Sequence, residues 1–390
     1  MTRPPSSAGV LRTHPDDLVV PAGARWSEVS ARLEQILDPA APADGPAVVV
    51  ATSGSSGRPK RVRLGAPALR ASGEATAAVL GGHGRWVLAL PTHHVAGLQV
   101  LARSVLAGTV PVALAQGRPF TCAAFVRAVD EAAGRGRRSS AQGRVPLYAS
   151  LVPTQLHRVL GEGPGAAAAA RLDAVLLGGA AAEPDLLARA QAAGVRVVRT
   201  YGMSETAGGC VYDGRPLPGV LVRTGPPDDR VRIAGPVLAD GYLDDPDLTA
   251  ASFVVEDGRR WFVTGDRGRL REGRLQILGR LDDLIVTGGH KVEPRDVEAA
   301  LRTVPQVEDA LVVGVPDPEW GQVVAALLVL TGPAAGGAGT DLGRVREALT
   351  STLPRHALPR RLLVGDAIPL LPSGKPDRLR VARLLQEAPT

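Results

Sequence analysis

The sequence has little cysteine: two residues in 390, Cys122 and Cys210, in no metal-ligand spacing. That excludes a disulfide scaffold and a zinc ribbon. Aromatics are scarce, with four each of Phe, Tyr and Trp, which leaves little material for stacking nucleobases. No apolar run approaches the ~18 residues of a membrane span. The opening MTRPPSSAGVLRTHPDD lacks the apolar core of a leader, so the expectation is a cytoplasmic chain with no membrane partner. Lysine is the scarcest charge: of 45 basic residues only Lys60, Lys291 and Lys375 are lysine, and 42 are arginine. Where arginine fills almost every cationic position, a retained lysine suggests a need for a compact, mobile ammonium. All three lie in Gly-rich segments.

What is present is ordinary for a globular chain. Apolar residues make up 45% and charged residues 22%, enough to bury a sizeable core. The length suggests two or three domains. The 46 glycines and 33 prolines follow no G-X-Y period, which excludes collagen. A net charge of +6 invites a nucleic-acid reading, but the bases are dispersed. The one dense cluster, Arg135, Arg137 and Arg138, reads as an exposed loop, so nucleic acid is not the expected partner.

Buried strands are expected at AVVVA (47–51), WVLAL (86–90), VPVAL (110–114), AVLLGG (174–179) and VRVVRTYG (195–202). Helix-like segments such as APALRASGEATAAVL and PDLLARAQAAG lie between them. Apolar strands alternating with helices predict an α/β domain with a mostly parallel sheet. Beyond about 218, RVRIAG, RWFVTGD and RLQILGR predict a small antiparallel or barrel-like β subdomain. The domains expected are 1–281, holding that subdomain at 218–281, and a mobile α+β domain at 282–390. A Gly/Ala linker interrupts the latter at 332–339.

Five segments carry chemistry. Thr52-Ser53-Gly54-Ser55-Ser56-Gly57 with Lys60 offers turned backbone N–H groups, hydroxyls and one ammonium, a plausible phosphate cradle. It is not a Walker A loop, because its glycines are too close together and Arg61 follows the lysine. Tyr201-Gly202-Met203-Ser204-Glu205 places an aromatic, a hydroxyl and a carboxylate after a strand, suited to a base, a phosphate and Mg²⁺. Thr264-Gly265-Asp266 puts a carboxylate where ribose hydroxyls could meet it. Gly279-Arg280-Leu281-Asp282-Asp283, with Gly288-Gly289-His290-Lys291 beyond it, is the fourth, and Pro372-Ser373-Gly374-Lys375 the fifth. Each alone also fits a plain loop or turn.

In this order the five segments resemble the core motifs of the adenylate-forming superfamily, the acyl- and aryl-CoA ligases and their relatives, over about 45–380. The resemblance implies activation of a carboxylate with ATP and Mg²⁺ to an acyl-adenylate, followed by transfer to a thiol such as CoA. It gives Thr52, Ser53, Gly54, Ser55, Ser56, Gly57 and Lys60 the β- and γ-phosphates, and Tyr201 with Gly202 the adenine. Ser204 takes the α-phosphate and Glu205 the Mg²⁺. Asp266, assisted by Arg280, takes the ribose. Asp282 is the implied hinge, Gly288–Gly289 the thiolation face, and Lys375 the catalytic cation of the first step.

Further stretches, PTHHVAGL (91–98), SLVPTQLHR (150–158), LLGGAA (176–181) and VYDGRPL (211–217), resemble compact o-succinylbenzoate–CoA ligases of menaquinone biosynthesis. The phosphate loop begins after only about 50 residues, which implies a version lacking much of the usual N-terminal subdomain. His94 and Thr154 would then line the acyl pocket, with Gly178, Gly179 and Ala180 as a wall beside adenine and aryl group. Plain alternatives stay open: His94 as a helix cap, Thr154 as an N-cap, and Gly178–Gly179 as packing glycines. Another acyl- or aryl-CoA ligase with the same site, or a non-catalytic nucleotide-binding protein, also fits.

Overall fold

The computed structural model describes residues 11, 14–42, 44–52, 60–115, 117–136, 144–331, 342–371 and 376–388. Cα packing divides the chain into two compact units. One comprises Met1–Arg223, Arg232–Thr264 and Leu270–Leu275; the other comprises Thr224–Val231, Gly265–Arg269 and Gln276–Thr390. The second unit thus also takes 224–231, 265–269 and 276–281, stretches that a division at 281/282 leaves with the first.

The first unit opens with strand β1 (Leu18–Val19), helix α1 (Trp26–Ile36) and the hairpin β2 (Val48–Thr52) and β3 (Lys60–Leu64). AVVVA is a buried strand, but not of the parallel sheet. It pairs parallel with β1 and antiparallel with β3. Its continuous apolarity reflects burial alone, which parallel and antiparallel strands share. Arg63 of β3 is buried between two carboxylates: its Nε lies 3.1 Å from Asp17, and its Nη1 pairs with Asp240. Removing one partner from so buried a pair costs about 3–5 kcal/mol. Burial pushes the Asp240 carboxyl above the ordinary range, although Arg63 works against the shift.

The parallel sheet begins after helix α2 (Ala66–Leu80), which ends on Gly81 in the left-handed region at φ 96°, where glycine avoids a Cβ clash. Strands β4 (Arg85–Leu88), β5 (Val112–Ala113), β6 (Leu147–Leu151), β7 (Ala174–Leu177) and β8 (Val197–Met203) are mutually parallel where paired. The antiparallel strands β9 (Gly208–Tyr212) and β10 (Arg215–Pro216) complete the order β10-β9-β8-β7-β6-β4-β5. Helices α3 (Val95–Leu106), α4 (Cys122–Gly136), α5 (Pro153–Leu160), α6 (Gly163–Ala170) and α7 (Pro184–Ala192) connect or flank these strands. Phe125, Leu156, Val159 and Val175 share one buried cluster, each contributing roughly 1.5–3 kcal/mol by leaving water. Arg135 is helical, paired with Glu131 one turn earlier, rather than part of a loop; Arg137 and Arg138 lie outside the described residues.

Strands β11 (Leu221–Arg223), β12 (Arg230–Ala234), β14 (Phe253–Glu256), β15 (Arg259–Arg271) and β16 (Arg274–Arg280) form a further sheet, order β11-β12-β15-β14 with β16 on β15. The expected subdomain is therefore sheet-built, with one departure. Strand β13 (Gly241–Tyr242), ahead of helix α8 (Pro246–Ser252), pairs instead with β3, with Tyr242 opposite Val62.

The rest of the second unit holds β17 (Ile285–Thr287), β18 (His290–Val292), α9 (Pro294–Leu301), β19 (Val307–Asp317), β20 (Gly321–Leu330), α10 (Leu342–Leu349), β21 (Arg361–Val364) and α11 (Arg378–Glu387). The long β19–β20 hairpin is antiparallel yet continuously apolar over 310–315 and 323–330, because both faces are covered there. Val312, Val324 and Leu328 meet Val297 and Val345 on one side, while Leu311, Val313 and Leu327 meet Val381 and Leu385 on the other. The linker 332–339 lies outside the described residues.

Candidate active site

In the first unit, four expected segments leave the carboxyl ends of adjacent parallel strands: His94 beyond β4, Thr154 beyond β6, Gly178–Ala180 beyond β7 and Tyr201–Glu205 at the end of β8. Crevices at that edge of an open α/β sheet are where such folds bind ligands. Gly178 is required locally, since a Cβ there would run into Thr200 Oγ1 on the neighbouring strand, and Gly179 adopts φ 84°. His94 occupies the N-cap position of α3, but its side chain makes no capping bond. Its ring lies 4.2 Å from that of His93, and burial lowers the pKa of His93. Thr154 is not the N-cap of α5. Val152 holds that position, and its N–H donates to Gln155 Oε1 at 3.1 Å, while Thr154 sits one residue inside the helix.

The turn after β8 is the most tightly determined part of the site. Gly202 has no room for a Cβ against the carbonyl of Gly208. The Thr206 hydroxyl accepts from Met203 N at 3.0 Å and lies within hydrogen-bond range of the carbonyls of Met203 and Gly208. This closes a short 3₁₀ turn over Ser204–Thr206. Ala207 follows at φ 49°, a left-handed conformation that costs a non-glycine residue energy. Ser72 Oγ and Gln99 Nε2 both donate to its carbonyl and hold it there. Ser204 is buried and Glu205 half-buried.

Glu205 has a partner that sequence reasoning missed. Tyr242 Oη donates to Glu205 Oε1 at 2.7 Å, and the Glu205 carbonyl accepts from Ala239 N at 2.9 Å. Burial, reinforced by the Glu205 charge, pushes the Tyr242 phenol well above its ordinary pKa, so it stays a donor. The only sequence signal for it was an aromatic with a polar end in DGYLDD. Tyr242 also meets the β2–β3 hairpin, where Lys60 Nζ lies 5.5 Å from its ring centroid, within cation–π range. Thr52 and Lys60 are paired across the base of that hairpin; Ser53, Gly54, Ser55, Ser56 and Gly57 lie outside the described residues.

Among the described residues no group of three or more His, Cys, Asp or Glu could hold a metal ion. One carboxylate is nevertheless a fit for Mg²⁺, which keeps most of its waters and takes its other ligands from substrate phosphates. No cysteine competes as a nucleophile here: burial pushes the fully buried Cys210 thiol to about 12, far from the thiolate that reactivity needs.

The second unit gathers its own set. Arg280 Nη1 lies 3.3 Å from Asp266 Oδ1 and its Nη2 3.1 Å from Asp282 Oδ2. Burial opposes the charge on Arg280, and the carboxylates of Asp266, Asp282 and Asp283 more than offset it, so its pKa is raised. Gly265 allows this approach, since a Cβ would sit 2.8 Å from Arg280 Nη2. Gly288 and Gly289, at φ 53° and 80°, form the β17–β18 turn, with Gly288 against the Trp320 ring. Lys375 lies outside the described residues.

Residues 3–242 match the model of the AMP-binding enzyme family, and 296–375 that of the AMP-binding enzyme C-terminal domain. The probable 2-succinylbenzoate–CoA ligase of Mycobacterium tuberculosis is 45% identical over 346 residues, 87% of this chain and 85% of that protein. The 2-succinylbenzoate–CoA ligase of Geobacillus kaustophilus is 32% identical over 94% of this chain and 74% of its own length. Among solved structures, o-succinylbenzoate CoA synthetase from Bacillus subtilis in complex with its acyl-adenylate intermediate superposes with a TM-score of 0.69 at 27% identity. That match covers 86% of this chain and 68% of the other. No helix among the described residues is long and apolar enough to cross a membrane. With an edge of parallel strands presenting the expected groups and both family models matched, the chain belongs to the AMP-binding, adenylate-forming enzymes.

Proposed function

We propose that the chain ligates o-succinylbenzoate to CoA in two half-reactions. First, a carboxylate oxygen of the acid attacks the α-phosphorus of ATP. The bond to the β-phosphate oxygen breaks, and pyrophosphate leaves with the electron pair. Second, the CoA sulfur attacks the acyl carbonyl and AMP departs. The observation that carries this reading is the 45% identity to the Mycobacterium ligase, sustained over 87% of the chain.

The residues take the following parts. The first step brings two anions together, so its barrier is largely electrostatic, and one preorganised cation can lower it by about 3–4 kcal/mol. Lys375 is that cation. The loop from Thr52 to Gly57, with Lys60, holds the departing phosphates, and Ser204 holds the α-phosphate. Tyr201 stacks on adenine against Gly202 and the Gly178–Gly179–Ala180 wall. Asp266 accepts the ribose hydroxyls while Arg280 fixes its carboxylate. His94 and Thr154 border the aryl group. Bound through Glu205, Mg²⁺ supplies positive charge to the phosphates. Asp282 is the hinge about which residues 282–390 turn, and Gly288–Gly289 the face that admits the thiol, an exchange of gating type.

Purified chain with ATP, Mg²⁺ and o-succinylbenzoate is expected to release pyrophosphate. Adding CoA is expected to yield the aryl thioester, read by mass spectrometry. Pyrophosphate release with other carboxylic acids but not with this one would replace the substrate and keep the chemistry. ATP binding without turnover on any acid would overturn both.

A further inference from the structure

We infer that Tyr242 is a positioning residue for the Mg²⁺ carboxylate: its hydroxyl holds Glu205 Oε1 and leaves the other carboxylate oxygen to face the metal. This deepens the reading above and rests on Glu205 being the metal ligand. The geometry is specific. Tyr242 is 3% exposed, its hydroxyl donates to Glu205 Oε1 at 2.7 Å, and 37 residues separate the two in sequence. The tyrosine is itself fixed from the backbone. It pairs with Val62 of the phosphate-loop hairpin, and the next N–H, that of Leu243, donates to the carbonyl of Arg61 at 2.8 Å. Its own N–H donates to Thr249 Oγ1 at 2.9 Å. Lys60 sits over the same ring. One side chain therefore sets the distance between the strand that carries the phosphate lysine and the carboxylate that carries the metal. Partners that orient a ligand in this way are typically worth about 10–100-fold in metal affinity.

The test is calorimetric and needs no turnover. α,β-Methylene-ATP, which cannot release pyrophosphate, is titrated into the full chain in EDTA and over a range of Mg²⁺ concentrations. Tyr242→Phe keeps the ring beneath Lys60 and removes only the hydroxyl. Its Mg²⁺ midpoint for nucleotide binding is expected to rise about 10–100-fold, with affinity in EDTA unchanged. An unmoved midpoint, or an equal loss with and without Mg²⁺, overturns the inference, the second outcome marking a merely structural tyrosine. Glu205→Gln separates the two layers. If it keeps the full Mg²⁺-dependent gain, the metal assignment falls and the inference falls with it. If it loses the gain while Tyr242→Phe does not, the inference alone fails. The double variant Tyr242→Phe/Glu205→Gln is expected to lose no more than Glu205→Gln, because residues acting through one another are not additive. A summed loss also overturns it.

Discussion

The turn at Ser204–Thr206 and the turn at Gly288–Gly289 are built in opposite ways. The first is closed by buried side chains: Thr206 bonds to both ends of it, Ser72 and Gln99 hold the next carbonyl, and Tyr242 holds its carboxylate. The second is exposed, carries no side chains, and depends on two positive φ angles and the Trp320 ring beneath it. Groups that must meet charge in a fixed geometry are over-determined by their surroundings, which is what electrostatic preorganisation requires. A face proposed only to admit a second substrate needs room and an unobstructed backbone. Damage to the first should spread into affinity and stability, whereas damage to the second should stay within one half-reaction.

The largest effect is expected at Lys375. Lys375→Ala should slow adenylate formation by about 10²–10³-fold, while thioester formation from supplied acyl-adenylate continues. Separate assays of the two half-reactions check this, and equal losses would remove its role. Asp266→Ala comes next. It deletes the carboxylate proposed to accept the ribose hydroxyls, and ATP affinity by calorimetry should fall about 10–100-fold, the range for hydrogen bonds to charged groups. An unchanged dissociation constant would refute the ribose contact.

The contrast between the two turns also explains what could be read from sequence. Apolar strands such as β4 and β7, and helix α2 with its terminal Gly81, were legible because burial and glycine chemistry leave local marks. The ordered Gly-, Ser- and Lys-bearing segments were legible for the same reason. Strand β3 was not: KRVRL places charge where a buried strand should be apolar, and only Asp17 and Asp240, distant in sequence, neutralise Arg63. Strand β13 is two residues long, too short for any period to register. Tyr242 was missed because its function is created by that pairing. Thr154 as a possible cap fails because the helix starts earlier, at Pro153, so that Val152 takes the cap position.

Gly288→Val sharpens the comparison from the exposed side. A Cβ at 288 would meet the Trp320 ring at 2.6 Å, and the backbone sits at φ 53°. Strain of about 1–3 kcal/mol should displace the turn, lower the melting temperature by a few degrees and slow CoA transfer about tenfold, with adenylation nearly unchanged. A comparable loss in adenylation would show that this turn serves both steps, and the proposed division of labour would fail.

The smallest effect concerns His93, beside His94 at the first unit's sheet edge. Burial lowers its pKa from the ordinary 6.5, so the folded chain binds this proton less readily than the unfolded one. A depressed group contributes stability that is present above its unfolded pKa and is lost as pH falls through the folded value. The melting temperature should therefore decline as pH drops below about 6.5. His93→Gln cannot titrate, and should flatten that part of the profile while leaving the carboxylate-driven loss at lower pH in place. An identical slope in the variant would mean that the His93–His94 contact does not feel the burial that holds the rest of this edge together.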